Sequence, residues 1–144
     1  MKILIIEDEQ RTAALIRRLI AQYDNTYSVV EVIDSVEKGR DWFVCKTEQP
    51  DLVLADIQLS DGTSFDLFEQ INLELPVIFI TAYNEFALNA FRLNSIDYLL
   101  KPISFANLKQ AFDKFIKTRD TYIRLNYKGI NDLISPRPAP FKKR

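Results

Sequence analysis

Four short apolar runs in this sequence end in side chains that can bind charged ligands. The runs lead in turn into Glu7 and Asp8, into Asp56, into Thr81, and into Lys101 followed by Pro102. In an open parallel α/β sheet, ligands bind outside the carboxyl ends of the strands, so these side chains would meet at one edge. Three acids, a hydroxyl and an ammonium together are suited to binding a divalent cation and a phosphoryl group.

The first 120 residues alternate between strand-like and helix-like patterns. Strands are predicted at 2–6, 29–33, 51–55, from Pro76 to residue 80, and at 96–100; helices are predicted at 9–22, 35–46, 65–71, 84–93, and from a Ser104 cap through about residue 116. Five such βα units predict a flavodoxin-like, doubly wound parallel sheet of strand order 2-1-3-4-5, an α/β fold. Asp8 is predicted to cap the first helix, and Asp34 with Glu37 resembles a capping box for the second.

The residue types that are missing exclude several kinds of chemistry. The chain has no histidine, which excludes Ser-His-Asp and Cys-His catalysis and any His-ligated metal. Its one cysteine, Cys45, excludes a disulfide within the chain and is expected to be a buried, reduced thiol. A metal ion must therefore be held by oxygen ligands, which favours magnesium or calcium.

Charge and hydropathy indicate the surroundings of the protein. No apolar run approaches the length of a membrane span, and Met1 leads directly into a strand without a signal-peptide pattern, so we expect a cytoplasmic protein with no membrane contact. The first 120 residues carry a net charge of −6 and residues 121–144 carry +5. The segment 121–144 also contains Pro136, Pro138 and Pro140, which is typical of a basic linker. An acidic body argues against nucleic-acid binding by the body itself.

The clustered acids favour a magnesium site over separate structural roles. Asp56 alone could be a turn former, and Glu7 with Asp8 could be a solvated helix cap. Three carboxylates on neighbouring strands repel each other unless a cation lies among them, and a histidine-free oxygen set suits Mg²⁺. Thr81 could be a simple β-favoured residue, or its hydroxyl could bind the same phosphoryl group as the Lys101 ammonium. The bond between Lys101 and Pro102 can adopt the cis form.

These motifs resemble the receiver domain of bacterial two-component response regulators over about residues 1–120. The matching segments are Ile5-Ile6-Glu7-Asp8-Glu9, Leu54-Ala55-Asp56 through Gly62, Ile80-Thr81-Ala82, and Asp97-Tyr98-Leu99-Leu100-Lys101-Pro102. The resemblance implies that Asp56 is the phospho-acceptor, and that Thr81 and Lys101 bind the phosphoryl oxygens. It implies a Mg²⁺ ion held by Glu7, Asp8, Asp56 and the backbone carbonyl of Gln58. Thr81 and Tyr98 would form the switch, and Ser60 departs from the proline often found at its position.

The stretch from Thr81 to Pro102 resembles receivers of the LytTR class, which precede a β-rich DNA-binding domain. This implies a sensor histidine kinase as partner and a DNA-binding parent that regulates transcription. Residues 121–144 would be the linker toward that C-terminal domain, so the chain is interpreted as a fragment that does not bind DNA specifically. A homodimer is possible through the fourth predicted helix, the fifth strand and the fifth helix, where Phe86, Phe91 and Phe105 lie.

Two alternatives to a phosphorylated signalling receiver are open. In the first, the chain is a haloacid-dehalogenase-like phosphatase, which also uses a nucleophilic Asp, magnesium and a lysine. That class places its nucleophile after strand 1 in an Asp-x-Asp pattern, whereas strand 1 here ends in Glu7-Asp8-Glu9. In the second, the chain is a receiver that is never phosphorylated, and the intact Asp56, Thr81 and Lys101 argue against it. We therefore expect no enzyme activity beyond Mg-dependent self-phosphorylation and self-dephosphorylation.

Overall fold

A computed structural model of the chain describes residues 1–45, 48–82 and 95–132, and for 95, 96 and 120–132 it describes the backbone alone. Labels run in chain order within this part. The strands are β1 Lys2–Ile6, β2 Ser28–Ile33, β3 Leu52–Asp56, β4 Gln58–Leu59, β5 Gly62–Thr63, β6 Val77–Thr81 and β7 Ser95–Leu100. The helices are α1 Gln10–Tyr23, α2 Val36–Cys45, α3 Ser64–Gln70 and a C-terminal helix Phe105–Asp132. The predicted helix at 84–93 lies outside the described residues.

Five strands form one parallel sheet in the order β2-β1-β3-β6-β7. This confirms the predicted flavodoxin-like order 2-1-3-4-5, because β4 and β5 form a separate antiparallel hairpin between the third and fourth strands of the sheet. The central strands β1, β3 and β6 are buried on both faces, apart from the exposed Lys2 at the start of β1. Continuous apolar runs form such strands because helices cover both faces of a parallel sheet.

Two hydrophobic cores lie on opposite faces of the sheet. On one face, α1 and the C-terminal helix pack through Ile16 and Phe112, both fully buried. The Phe112 ring meets the Tyr23 ring edge-on at a centroid distance of 5.2 Å. On the other face, α2 and α3 pack over β3 and β6, with Leu67 and Phe79 fully buried. The paired cores hold the sheet rigid, and with it the edge where the strands end.

The start of α2 is capped differently from the prediction. Asp34 and Glu37 do not form the expected capping box, because the Glu37 N–H donates to Asp61, and Asp34 pairs with Lys38 at 3.3 Å. The Ser35 hydroxyl accepts the hydrogen bond from the Lys38 backbone N–H at 3.0 Å. The Asp61 carboxylate, from the β4–β5 turn, accepts hydrogen bonds from the first backbone N–H groups of α2, those of Val36 at 2.8 Å and Glu37 at 3.1 Å. These bonds lower the pKa of Asp61.

Removing this long-range cap should loosen α2. We expect Asp61→Ala to lower the temperature of thermal unfolding by several degrees, because two N-terminal N–H groups of the helix lose their acceptor. Asp41→Ala, which removes an exposed acid within the same helix, is the matched control and should leave the melt nearly unchanged. Circular dichroism melts of both variants at neutral pH measure the effect. Equal melts for the two variants would show that the Asp61 contacts do not stabilise α2.

Two smaller expectations from the sequence are wrong. Asp8 does not cap α1, since Glu9 occupies the N-cap position and forms no side-chain cap bond there. Cys45 is exposed and not buried. The buried positions of α2 are Val36 and Gly39, and Cys45 as the last helical residue falls off the face that they define.

The last helix begins as predicted and ends later. The Ser104 hydroxyl accepts a hydrogen bond from the Asn107 N–H at 3.1 Å, which confirms the predicted cap. The helix then continues to Asp132, into the segment predicted as a linker, and no proline interrupts the chain between Pro102 and Pro136. The division into a domain at 1–120 and a linker at 121–144 stays a prediction, and the three prolines lie outside the described residues. Within the described part, no helix is both long and apolar enough to span a membrane.

Candidate functional site

Strand order brings the predicted site residues to one edge of the sheet. β1 pairs with β3, β3 with β6, and β6 with β7, all parallel, so their carboxyl ends lie side by side. Glu7 follows β1, while Asp56 and Thr81 are the last residues of β3 and β6. Lys101 follows β7 directly, and its backbone N–H donates to the Thr81 carbonyl at 2.8 Å. The peptide bond between Lys101 and Pro102 is cis.

Three carboxylates form a tight cluster at this edge. Glu7, Asp8 and Asp56 each place one oxygen within 4.8 Å of the others. Glu7 is 1% exposed and Asp56 6%, whereas Asp8 lies on the surface. Two acids are thus removed from water, and the third lies at the entrance to the cluster.

The Lys101 ammonium is the counter-charge within the cluster. Its Nζ lies 3.0 Å from Asp56 Oδ2, and 3.3 and 3.4 Å from Glu7 Oε1 and Oε2. The lysine side chain is 22% exposed, so these contacts are only partly screened by water. One ammonium therefore faces two buried carboxylates, and the site keeps an excess of negative charge.

The charge imbalance changes how readily Glu7 ionises. Burial, together with the neighbouring Asp56 charge, raises the pKa of Glu7 to about 7, although the Glu9 N–H and Lys101 act in the opposite direction. Burial also acts to lower the pKa of Lys101, but the hydrogen bond from Lys101 to Asp56 and the charges of Asp56 and Glu7 raise it overall. The ammonium is firmly charged, whereas Glu7 is close to half-protonated near neutral pH.

The loop after Asp56 is tied to the sheet by backbone hydrogen bonds. The Ile57 N–H donates to the Ile80 carbonyl at 3.0 Å, and the Ile57 carbonyl accepts from the Ser64 N–H at 3.0 Å. The Gln58 N–H lies 3.3 Å from Asp56 Oδ1. This places the Gln58 backbone directly beside the acidic cluster.

Thr81 and Tyr98 lie on the adjacent strands β6 and β7. Thr81 is 1% exposed, and in the sheet register it pairs with Leu100. Tyr98 pairs with Phe79 and is half-buried against the core that α2 and α3 cover. Of the three phenylalanines expected on the signalling face, Phe105 is half-buried against the other core, while Phe86 and Phe91 lie outside the described residues.

Glu9, for which the sequence predicts no role of its own, also reaches the lysine. Glu9 Oε1 lies 3.9 Å from Lys101 Nζ, and the Glu9 N–H donates to Glu7 Oε2 at 3.0 Å. Adjacency to Glu7 and Asp8 was the available signal. That adjacency does not by itself predict a contact with Lys101, because an exposed acid at a helix N-terminus commonly stabilises the helix instead.

The residues present fit a divalent cation. Glu7 Oε1 is buried and accepts no hydrogen bond from the described residues, although the ammonium lies 3.3 Å away. The candidate ligands are all oxygens, as Mg²⁺ prefers, and Asp8 leaves the cluster open to water, which Mg²⁺ retains. An added cation would also relieve the repulsion among the carboxylates.

The fold and this edge define a flavodoxin-like α/β domain with an acidic, cation-competent site beside a lysine. The chain belongs to the response regulator receiver domain family, whose characteristic sequence matches residues 3–113.

Curated relatives narrow the resemblance to the LytT and LytR response regulators. The chain is 35% identical to the sensory transduction protein LytT of Enterococcus faecalis over 120 residues, covering 81% of this chain and 48% of that protein. It is 33% identical to LytR of Staphylococcus haemolyticus over 117 residues, covering 79% and 44%. The chain thus spans about half the length of these relatives.

A solved structure shows the same fold. The response regulatory domain of MrkE from Klebsiella pneumoniae superposes with a TM-score of 0.73 over 84% of this chain and 99% of that one, at 24% identity. At 24% sequence identity, this structural similarity supports a shared fold only.

Proposed function

We propose that this chain is the cytoplasmic receiver of a LytTR-class response regulator and accepts a phosphoryl group on Asp56 from a sensor histidine kinase. One observation carries the proposal. The Asp56 carboxylate is nearly buried at the carboxyl edge of the sheet, with the Lys101 ammonium 3.0 Å away and two further acids beside it. A nucleophilic oxygen, a cation for phosphoryl oxygens and a set of metal ligands are thereby brought together.

In the proposed reaction, an Asp56 oxygen attacks the phosphorus of the kinase's phosphohistidine. A new O–P bond forms as the P–N bond breaks, and the histidine nitrogen leaves with the electron pair. The Lys101 ammonium moves from neutralising carboxylates to binding a phosphoryl oxygen, and the Thr81 hydroxyl binds another. Water later attacks the acyl phosphate and releases inorganic phosphate, so the domain switches itself off and is otherwise no enzyme.

Glu7, Asp8, Asp56 and the Gln58 backbone carbonyl would hold Mg²⁺. When bound, this ion supplies positive charge that offsets the phosphoryl oxygens and the acids around them. The chain's own residues position the two reactants. The sheet holds Asp56 in place, and the bond from the Lys101 N–H to the Thr81 carbonyl keeps both phosphoryl-binding residues at one edge.

The proposed output is a change in the shape of one face. A phosphoryl group on Asp56 would draw Thr81 inward and allow Tyr98 to turn, altering the face formed by the 84–93 segment, β7 and the C-terminal helix. That face would support a homodimer and control transcription in a longer parent, because the LytT and LytR relatives extend well beyond the matched region. Specific DNA binding would belong to the parent and not to residues 1–144, whose body is acidic.

Mass spectrometry after incubation with acetyl phosphate and Mg²⁺ tests the function. We expect a single phosphoryl adduct on the wild type and none on Asp56→Asn, because the amide is a far weaker nucleophile than the carboxylate. Asp41→Asn makes the same chemical change at an exposed site on α2 and should be labelled like the wild type. Labelling of Asp56→Asn at the wild-type level would place the acceptor elsewhere. Phosphate release from small monoesters at enzymatic rates would instead support the phosphatase alternative.

A further inference from the structure

A short chain of contacts leads from the surface of α1 to the lysine of the site. The Thr12 hydroxyl, in the first turn of α1, donates to Glu9 Oε1 at 2.7 Å. The same Glu9 oxygen lies 3.9 Å from Lys101 Nζ. Thr12 thereby orients a carboxylate whose side chain is 65% exposed, and holds it beside the Lys101 ammonium.

Lys101 does not need Glu9 to stay in place. The ammonium already contacts Asp56 at 3.0 Å and Glu7 at 3.3 Å, both shorter and better buried than its contact with Glu9. The Glu9 carboxylate therefore adds a competing anion on the solvent side. Any phosphoryl donor is itself anionic and must bring its phosphoryl oxygens to the same ammonium, next to the Glu9 carboxylate.

We propose that Glu9, oriented by Thr12, is a positioning residue that competes for the Lys101 ammonium and disfavours highly charged phosphoryl donors. This inference rests on the proposed phosphorylation of Asp56. Before transfer, Glu9 competes with the donor for the ammonium and repels its negative charge. Glu9 and Thr12 together thus limit the rate at which small anionic donors phosphorylate the domain.

The test compares initial phosphorylation rates of variants at saturating Mg²⁺ with two donors. Acetyl phosphate is a dianion at neutral pH, and phosphoramidate carries less charge. We expect Glu9→Gln to raise the rate with acetyl phosphate about two- to five-fold, the range that loss of one exposed ion-pair partner allows. The gain should be smaller with phosphoramidate and should vanish in about 1 M salt, where the exposed Glu9 charge is screened.

Two further variants separate orientation from charge. Thr12→Val keeps the Glu9 charge but frees the carboxylate, so its rate should lie between wild type and Glu9→Gln, whereas Thr12→Ser should restore the wild-type rate. Glu69→Gln, an equal change of net charge on the exposed side of α3, should have no effect.

The outcomes are distinct. Equal rates for Glu9→Gln and Glu69→Gln, with normal wild-type labelling, would overturn this inference and leave the proposed function intact. A gain independent of donor and salt would likewise overturn it, because a merely structural role would produce that pattern. Absence of any wild-type adduct would overturn the proposed function and this inference with it.

Discussion

Lys101→Met should lower the free energy of unfolding of the metal-free protein by about 2–3 kcal/mol at pH 8, since removing one partner of a largely buried ion pair leaves uncompensated charge. The ammonium faces both Asp56 and Glu7 within 3.4 Å, and no other cation of the described residues pairs with either acid. Methionine retains the length and apolar stem of the side chain. The effect therefore reports the charge and not a cavity.

The measurement is urea unfolding in EDTA, combined in a double-mutant cycle with Glu7→Gln. The cost of Lys101→Met should shrink by about 1 kcal/mol in the Glu7→Gln background, because only one acid then loses its partner. Lys38→Met is the matched control, since Lys38 pairs with Asp34 in an exposed contact at 3.3 Å, and it should cost less than about 1 kcal/mol. Equal costs at positions 38 and 101 would show that the ammonium does not stabilise the clustered acids.

The second large effect is a loss of stability as the pH rises. The pKa of Glu7 is about 7 in the folded protein and near 4.5 when the chain is unfolded. Between these values the folded state binds more protons, so its stability falls with rising pH. The contribution of Glu7 is fully present below pH 4.5 and is lost as the pH passes through about 7. Its size is about 1–3 kcal/mol in metal-free buffer.

Glu7→Gln should abolish this dependence and make the metal-free protein more stable than the wild type at pH 8. Glutamine approximates the protonated acid, and its carbonyl can still accept the Glu9 N–H bond now made at 3.0 Å. Glu69→Gln should retain the wild-type pH profile. Thermal melts in EDTA from pH 4.5 to 8.5 measure the difference, and adding Mg²⁺ should favour the wild type over Glu7→Gln. A less stable Glu7→Gln protein at pH 8 would mean that ionised Glu7 stabilises the fold through its hydrogen bonds.

Much of the architecture follows from local pattern. Continuous apolar runs such as 3–6 and 52–55 predict strands buried on both faces, and the helical spacing between them predicts crossovers. Topology rules then leave few ways to arrange five βα units, which is why the strand order could be predicted. The end of each strand is a local feature too, so the sequence predicts that Asp56, Thr81 and Lys101 meet at one edge.

Contacts between segments distant in the chain were beyond that reasoning. The cap of α2 comes from Asp61, 25 residues after Val36, and displaced the capping box expected from Asp34 and Glu37. The exposure of Cys45 depends on which face of α2 meets the sheet. Local propensity predicts neither the Asp61 cap nor the exposure of Cys45, because each depends on how separate elements pack.

The sequence by itself determined the kind of groups at the site, and the tertiary structure decided their energetics. The order of residue types along the chain predicts that acids and a lysine lie at strand ends. Only packing sets how deeply Glu7 is removed from water, how near Lys101 lies to each carboxylate, and that Glu9 reaches the same ammonium. The reason is physical: interactions between charges depend on separation and on the surrounding dielectric, and both are properties of the folded chain.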